Sequence, residues 1–359
     1  MPRESFSVRI CKALYIICRV KALVFEQIGV VSLQDKPEAR IQASTDAIVK
    51  VTTAGICGSD LHVLYGRDPV PAGTILGHEF IGVIQDTGSD LVTLRPGDRV
   101  LSPFTTNCGS CFYCIRDLPA RCLQSEGFGF SLPGVQTEFV RVPHASSTLM
   151  KIPVHLSDEE LIFLGDIFST AYSCAEAAAI QKRDTVAIIG LGPVGLLCVL
   201  AAKLFDPAMI IAVDQVEYRK EKARSFGAIS ASPEGVTKLV MDYTEGRGVD
   251  AVLEAVGNPA ALDLAIQLAR PGSVVSIAGF HTERTYLFPI LEAYSKNLTI
   301  KIGRCNARKY MRQLLPLAEQ RRVPMSEIIT HVIPLNEGVK GYDLFANKRD
   351  NCIKVLLKP

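Results

Sequence analysis

The chain has 359 residues, of which 48% are hydrophobic and 21% charged, and its formal net charge is +2. This length predicts two domains with a sizeable core. The nearly balanced charge, without a long basic run, gives no electrostatic reason to expect a nucleic acid as a partner. Eleven cysteines in so long a chain are not typical of a secreted disulfide scaffold. Because five of them have spacings or contexts typical of metal sites, we expect a reducing compartment, the cytoplasm.

Residues 1–20 carry basic side chains around a short apolar stretch, residues 13–17. This pattern leaves open a weak targeting segment or an upstream start, although no small-residue cleavage pattern follows. We favour an extension with little structure, with the fold beginning near Lys21, where residues 21–25 form a predicted strand.

Residues 21–153 predict a compact β-rich domain. Short apolar strands, such as residues 47–51, 80–84 and 139–142, alternate with turns, such as residues 95–98. The chain from about residue 305 has mixed character and includes the apolar run 353–357, which we expect to rejoin this domain. The predicted division is therefore 21–165 with 305–359 in one domain, and 166–304 in the other.

The middle of the chain alternates strand-like runs with helical stretches. Predicted strands cover residues 185–189, 209–213, 228–230, 249–253, 273–277 and 298–302, and predicted helices include 194–205, 219–226 and 260–269. Nearly all-apolar strands are typical of burial on both faces, so the pattern predicts an α/β fold with a doubly wound parallel sheet. The apolar run 186–202 approaches the length of a membrane span, but glycines and a proline interrupt it, and we expect no membrane contact.

The interruption at residues 190–195 indicates a dinucleotide site. Gly190 allows a tight turn after the strand, Gly192 lets the backbone approach a pyrophosphate, and Gly195 lets the helix pack on the strand. The motif also contains Pro193 and Val194. The start of the helix then offers free N–H groups to the phosphates.

Asp214 follows the predicted strand 209–213 and favours NAD over NADP. A carboxylate there accepts hydrogen bonds from the ribose hydroxyls and repels a 2′-phosphate. Arg219 could approach the adenosine side of the cofactor, so NADP stays open as the alternative.

Four cysteines, separated by two, two and seven residues, predict a structural zinc site: Cys108, Cys111, Cys114 and Cys122. Four thiolates complete a tetrahedral zinc site with no open position, which indicates a stabilising role. Disulfides and an iron–sulfur cluster are the alternatives.

Cys57 and the pair His78 and Glu79 form a second, dispersed constellation. One thiolate, one imidazole and a third ligand would leave a position open for substrate, as catalytic zinc requires. The spacing alone is only suggestive, since isolated Cys and His residues are more often structural.

These motifs together resemble the zinc-dependent alcohol dehydrogenases of the medium-chain dehydrogenase/reductase superfamily. Gly-Ile-Cys-Gly-Ser-Asp-Leu-His, Gly-His-Glu-Phe, Pro-Gly-Asp-Arg-Val, the four cysteines and Gly-Leu-Gly-Pro-Val-Gly occur in the order of that family, and the resemblance covers about residues 21–359. It implies a β-rich GroES-like catalytic domain beside a Rossmann coenzyme domain, with two zinc ions per chain and NAD.

The resemblance also implies roles for single residues. Cys57 and His78 would bind the catalytic zinc, with Asp166 as third ligand, as in the bacterial branch with an acidic ligand, and Glu79 as a neighbour that binds the metal transiently. By the same positional match, Ser59 and His62 would relay a proton, Thr170 would lie beside the nicotinamide, and Phe104 would line the substrate pocket. Ala171 departs from the family, where glycine is common.

The implied reaction is the reversible oxidation of a small alcohol to an aldehyde or ketone by hydride transfer to NAD. A polyol, butanediol or threonine dehydrogenase with the same machinery is the nearest alternative. The zinc-free reductase branch typically lacks both metal sites, and a non-enzymatic protein is expected to have lost residues that this chain keeps. Relatives imply self-association, as a homotetramer or homodimer.

Overall fold

The computed structural model describes residues 19–359. The predictions for residues 1–18, including the extension and a targeting segment, lie outside the described residues. Arg19 and Val20, which we expected in the extension, instead open strand β1 (Arg19–Gln27). Val20 is buried, and this burial accounts for a strand that starts two residues earlier than predicted. Strand β1 pairs antiparallel with β2 (Val30–Pro37).

A seven-stranded sheet forms the centre of the β-rich part of the chain. Its strands are β3 (Ala47–Ile56), β4 (Glu79–Thr87), β5 (Arg99–Leu101), β6 (Phe139–Val142), β7 (Met150–Lys151), β14 (Ile329–Pro334) and β15 (Lys354–Lys358). The order is β14-β15-β3-β4-β5-β7, and β6 pairs with β3. Strand β15 pairs parallel with β14 and antiparallel with β3, so the predicted apolar run 353–357 lies within this sheet.

The middle of the chain forms a six-stranded sheet in which every pairing is parallel. Its strands are β8 (Thr185–Ile189), β9 (Met209–Val213), β10 (Ile229–Ala231), β11 (Val249–Glu254), β12 (Ala269–Ile277) and β13 (Thr299–Ile302). The order β10-β9-β8-β11-β12-β13 reverses direction beside β8, as in a doubly wound sheet. The predicted fold class is confirmed.

Eleven α-helices occur within residues 19–359. They are α1 (Gly58–Leu64), α2 (Ala145–Thr148), α3 (Asp158–Leu161), α4 (Ile167–Ala177), α5 (Pro193–Lys203), α6 (Glu217–Ser225), α7 (Pro233–Tyr243), α8 (Pro259–Leu268), α9 (Ile290–Ser295), α10 (Ala307–Glu319) and α11 (Gly338–Ala346). The three helices predicted by residue range correspond to α5, α6 and α8. Helix α7 was not predicted, although Ser232 followed by proline at the first helical position is typical of a helix start.

Helix α4 links the two sheets through its packing. It packs against α5, which follows β8 of the parallel sheet, and its buried side chains join the core cluster that also contains Leu101 of β5. Its first residue follows Asp166, so the packing of α4 also sets the position of Asp166. Among residues 19–359, no helix is long and apolar enough to cross a membrane, and the apolar run 186–202 divides into β8 and α5.

Candidate active site

Four buried side chains from separate parts of the chain meet in one cluster: Cys57, His78, Glu79 and Asp166. Each offers one ligand atom, and these atoms all lie within 4.8 Å of one another. His78 Nε2 lies 3.2 Å from Asp166 Oδ2, and Cys57 Sγ lies 3.8 Å from the same oxygen. The structure therefore brings together all four residues that the sequence suggested for the catalytic metal.

The backbone explains how these side chains converge. Cys57 follows β3 and caps helix α1, while Glu79 opens β4 and pairs in register with Gly55. A Cβ on Gly55 would lie 2.5 Å from Glu79 Oε2, so the carboxylate needs the space that glycine leaves. Asp166 precedes α4 and faces the same point from the other side.

The chemistry of the donors fits a divalent zinc ion, because thiolate, imidazole and carboxylate are its usual protein ligands. Burial by itself lowers the pKa of His78, but the carboxylates of Asp60 and Asp166 outweigh it, so that the pKa lies well above its usual value. Burial and the carboxylates of Glu79 and Asp166 raise the pKa of Cys57. A cation between these side chains would lower the raised pKa of both His78 and Cys57, so the cluster favours a positive charge at its centre.

A buried network of polar side chains contacts Cys57 and His78. The sequence analysis did not predict this network. Asp60 Oδ1 lies 3.3 Å from His78 Nδ1 in a charge contact that does not have hydrogen-bond geometry, and Asp60 Oδ2 accepts from Cys57 N at 2.9 Å. Gln136 Nε2 donates to Asp60 Oδ2 at 3.2 Å, and the Tyr342 hydroxyl donates to Gln136 Oε1 at 2.8 Å. A carboxylate beside the second nitrogen of a metal-ligating histidine is the common way to orient its ring. Asp60 lies in a quoted motif, but Gln136 and Tyr342 carry no local signal.

Glu79 forms a fully buried ion pair with Lys354. Both side chains have 0% relative exposure, and Lys354 Nζ donates to each Glu79 carboxylate oxygen at 2.7 Å and to Ile56 O at 2.9 Å. The sequence analysis missed Lys354, although a lysine inside the apolar run 353–357 was a usable signal, since buried lysines are almost always paired.

Ser59 and His62 lie on helix α1, which begins directly after Cys57 of the cluster. Ser59 Oγ donates to Cys57 Sγ at 3.4 Å and lies 3.2 Å from His78 Nε2. His62 packs edge-on against Phe280 with 5.3 Å between the ring centres, and its Nδ1 is buried without a hydrogen-bond partner. Burial, and then the nearby Arg67, lower the pKa of His62, which keeps the ring neutral and able to accept a proton.

The glycine motif adopts the conformations that a dinucleotide loop needs. Gly190 has φ +86°, and Gly192 is the residue that caps α5, with Pro193 at the first helical position. A Cβ on Gly195 would lie 1.7 Å from Gly190 O, so no other residue fits there. Val194 lies half-buried in the first turn. The start of α5 therefore has the glycine cap that helix starts binding a phosphate use.

Asp214, Arg219 and Thr170 flank this loop and the metal cluster. Asp214 Oδ2 accepts from Leu191 N at 2.7 Å and its Oδ1 accepts from Val216 N at 2.8 Å, which fixes the carboxylate beside the glycine loop. Arg219 Nη1 lies 4.0 Å from Asp214 Oδ2, and its Nε is buried without a partner. Thr170 Oγ1 donates to Asp166 Oδ1 at 3.4 Å. Phe104, half-buried, packs against the adjoining core.

The four clustered cysteines lie together in a loop, with their sulfur atoms within 4.8 Å of one another: Cys108, Cys111, Cys114 and Cys122. Every cysteine among residues 19–359 is a free thiol, so no disulfide occurs there. Backbone N–H groups surround the sulfurs; Cys108 N donates to Cys122 Sγ at 3.2 Å, and Cys111 N donates to Cys108 Sγ at 3.4 Å. Backbone N–H groups of Cys114 and Leu123 lower the pKa of Cys111 to about 6. Burial, and then the hydrogen bond with Cys111, raise the pKa of Cys114 to about 12, and burial raises the pKa of Cys122. A zinc ion would stabilise all four sulfurs as thiolates, so the set fits this metal.

Comparisons with known proteins agree with this geometry. Residues 43–154 match the model of the alcohol dehydrogenase GroES-like domain, and residues 193–320 match that of the zinc-binding dehydrogenase family. Zinc-type alcohol dehydrogenase B of Aspergillus flavus is 38% identical over 91% of this chain and 79% of its own length.

Solved structures give the same result. Alcohol dehydrogenase TADH from Thermus sp. ATN1 is 39% identical, with a TM-score of 0.89 over 94% of this chain and 99% of its own. A zinc-binding dehydrogenase from Sinorhizobium meliloti 1021 bound to NADP is 26% identical, and an alcohol dehydrogenase from Escherichia coli CFT073 complexed with NADH is 27% identical. Their TM-scores are 0.84 and 0.85, and each covers 95% of this chain and 100% or 99% of its own. The chain thus belongs to the zinc-dependent alcohol dehydrogenases of the medium-chain dehydrogenase/reductase superfamily, oxidoreductases that use a nicotinamide cofactor.

Proposed function

We propose that this alcohol dehydrogenase oxidises a small alcohol with NAD, and that Cys57, His78 and Asp166 hold the catalytic zinc. The observation that supports this most is the buried cluster whose ligand atoms lie within 4.8 Å of one another. The donor set matches zinc, and three ligands leave the fourth position to substrate. Zinc bound there would act as a Lewis acid on the alcohol oxygen, while NAD would accept the hydride.

The residues of the chain would position the reactants and move one proton. Ser59 Oγ lies within hydrogen-bond reach of the cluster, so it is placed to take the proton of a bound alcohol. His62, kept neutral by its surroundings, would receive that proton through the cofactor ribose. By its position in the family, Thr170, whose Oγ1 donates to Asp166 Oδ1, would contact the nicotinamide.

Glu79 would approach the metal only by giving up its ion pair with Lys354. Glu79 lies in the cluster, but both of its oxygens accept from Lys354 Nζ at 2.7 Å. We infer that this pairing makes contact of Glu79 with the metal transient.

The coenzyme would lie across the glycine loop, with its pyrophosphate at the start of α5 and its adenosine ribose at Asp214. Contacts to the pyrophosphate would come from the backbone of Gly190, Gly192 and Gly195. NAD is favoured because the Asp214 carboxylate, fixed by two backbone N–H groups, would repel a 2′-phosphate. Arg219 would stack on or border the adenosine, since its buried guanidinium lies beside the same carboxylate.

A second zinc ion would stabilise the four-cysteine loop, which offers no open position for a substrate. We also infer two domains, residues 21–165 with 305–359 and residues 166–304, because β15 pairs with β3. Free thiols at metal spacing support a cytoplasmic location.

Self-association, as a homodimer or homotetramer, is part of the proposal. Strand β13 is an edge strand of the parallel sheet. Large exposed apolar side chains occur on it or in the preceding segment: Leu287, Ile290, Leu291, Tyr294 and Ile302. A patch of this kind is typical of a protein–protein contact, and sedimentation velocity would measure the assembly.

The decisive experiment is NADH formation by zinc-loaded protein with NAD and a panel of alcohols, diols, polyols and threonine, repeated after chelation. Zinc-dependent turnover with one class would name the substrate. Asp166→Ala should lose the catalytic zinc and turnover but keep the zinc of the four-cysteine loop, as metal analysis would show. Normal rate and two zincs per chain in this variant would refute the assignment of Asp166.

A further inference from the structure

A short segment after strand β12, residues 279–283, connects the parallel sheet with helix α1. We call it the bridging segment. Its second residue, Phe280, packs edge-on against His62 of α1, with 5.3 Å between the ring centres and 85° between the ring planes. Its third residue, His281, lies at the end of β11, where its Nε2 is 3.3 Å from Glu254 Oε2. Adjacent side chains of one segment therefore contact the proposed proton relay and the sheet.

Glu254 is a buried anchor for this segment. Its side chain has 0% relative exposure, and its Oε1 accepts from Val256 N and from Gly257 N at 2.7 Å each. Among residues 19–359, the imidazole of His281 is the one hydrogen-bonding group that reaches Oε2. A buried carboxylate is costly unless both of its oxygens are satisfied, so the carboxylate favours the observed position of His281.

The backbone of the bridging segment is attached to the same strand end. Gly279 N donates to Glu254 O at 3.0 Å. A Cβ on Gly279 would lie 2.2 Å from Gly257 N, so the segment lies closer to the end of β11 than any other residue type would allow. The side chain of His281, 18% exposed, then packs over the carboxylate. Phe280 lies between these two anchored residues, so its ring is held in place.

The contact with the bridging segment affects the chemistry of His62. The Nδ1 atom of His62 is buried without a hydrogen-bond partner, and burial is the main cause that lowers the pKa of this ring. The charge of Arg67 adds to this effect, while the carboxylates of Asp68 and Glu283 oppose it. The ring of Phe280 excludes water from one side of His62, so it contributes to the burial.

We propose that His281 is a positioning residue for the proton relay. Its contact with Glu254 holds the bridging segment in place. The segment in turn keeps Phe280 against His62, so the relay histidine stays shielded from water and neutral. Glu254 ends β11 at the carboxyl edge of the parallel sheet, where such sheets bind a coenzyme, so the segment also borders the proposed NAD site. The inference rests on the proposed function and adds a second histidine that acts through its neighbours.

NMR titration of the zinc-loaded protein, with carbon-13 in its six histidines and without coenzyme, tests this. The signal absent from a His62→Gln variant identifies the relay histidine. His281→Ala and Phe280→Ala should each shift the pKa of His62 upward toward its ordinary value, because both changes expose the ring to water. His281→Gln, whose amide can still reach Glu254, should keep the pKa near that of the unaltered protein.

His331→Ala is the matched control. The His331 side chain is 14% exposed and its Nε2 lies 3.2 Å from a carboxylate oxygen of Asp350, but it belongs to β14, an edge strand of the other sheet. This variant should leave the pKa of His62 unchanged. His281→Asn, whose amide is too short to reach Glu254, replaces the alanine variant if that variant does not fold.

The pH dependence of kcat/KM is a second readout, because it reports the pKa values of the free enzyme. Its acid limb should shift to higher pH in His281→Ala and return in His281→Gln, which a merely structural contact would not produce. An unchanged pKa of His62 in His281→Ala, or a shift in Phe280→Ala alone, would overturn the proposal. If the NMR shift occurs but no alcohol is oxidised, the proposed function fails, while the action of His281 on His62 is supported.

Discussion

The buried pair of Glu79 and Lys354 allows a prediction with a defined magnitude. Lys354→Met keeps the volume and removes the charge, so the Glu79 carboxylate, which is 0% exposed as a side chain, is left without its cation. Breaking a buried ion pair from one side typically costs about 3–5 kcal/mol, and we expect the free energy of unfolding to fall by that amount. Adding Glu79→Gln to this variant removes the orphaned charge and should restore about 2 kcal/mol or more.

Urea unfolding of protein stripped of the catalytic zinc, so that no metal replaces the lost cation beside Glu79, is followed by far-ultraviolet circular dichroism, because the chain contains no tryptophan for fluorescence. Lys182→Met is the control: its partner is Asp206 at 3.0 Å, both side chains are 73% exposed, and a surface pair of this kind contributes less than about 1 kcal/mol. A loss below about 1 kcal/mol for Lys354→Met, or no recovery with Glu79→Gln, would show that water reaches the pair and that our reasoning is wrong.

Three further predictions concern other parts of the chain. Gly195→Ala places a Cβ 1.7 Å from Gly190 O, so helix α5 must move. Calorimetry should then show that NAD binds about tenfold or more weakly. Gly235→Ala is the control: the space around its Cβ is open, so the affinity for NAD should not change. Burial raises the pKa of Asp158, but hydrogen bonds from two threonines and an arginine outweigh this effect, so that the pKa is lowered. The Asp158 carboxylate therefore stabilises the folded protein fully above the pKa of the unfolded state. This stabilisation is lost as the pH falls through the pKa of the folded state. Asp158→Asn should therefore cost about 1.5–3 kcal/mol at pH 7 and flatten the acid limb of stability against pH; equal slopes would contradict this. Asp214→Gly should raise the NADP/NAD ratio of kcat/KM, and an unchanged ratio would rule out its contact with the ribose.

The parts of the fold that local pattern determines were predicted well. The strand of residues 185–189 was predicted with its observed bounds, because a short apolar run before a glycine turn is read from neighbouring residues alone. The six-stranded parallel sheet followed from the repetition of such runs. Helix α7 was not predicted, although it buries Val236 and Val240 one helical turn apart.

The candidate site was predictable only where its residues lie in motifs. Cys57 and His78 lie in short patterns of the family, and Asp166 was found by position within that resemblance rather than by any property of its neighbours. Lys354 was missed because its partner, Glu79, is 275 residues away in the chain, and no local rule pairs them. The same holds for the contact between Gln136 and Tyr342, which joins residues 206 positions apart in the chain.

The position of β15 beside β3 in the seven-stranded sheet has a consequence for biosynthesis. Lys354 reaches the carbonyl of Ile56 across 298 residues of chain, so a ribosome adding about 5–20 residues per second needs about 15–60 s between the two. Throughout that interval the nascent chain carries the last residues of β3, residues 54–56, without their partner strand on one edge, and the Glu79 carboxylate without its lysine. An unpaired strand edge of this kind favours aggregation. Completion of the metal-binding half is thereby tied to late translation, and a chain released early would lack both the strand and the charge that finish the site.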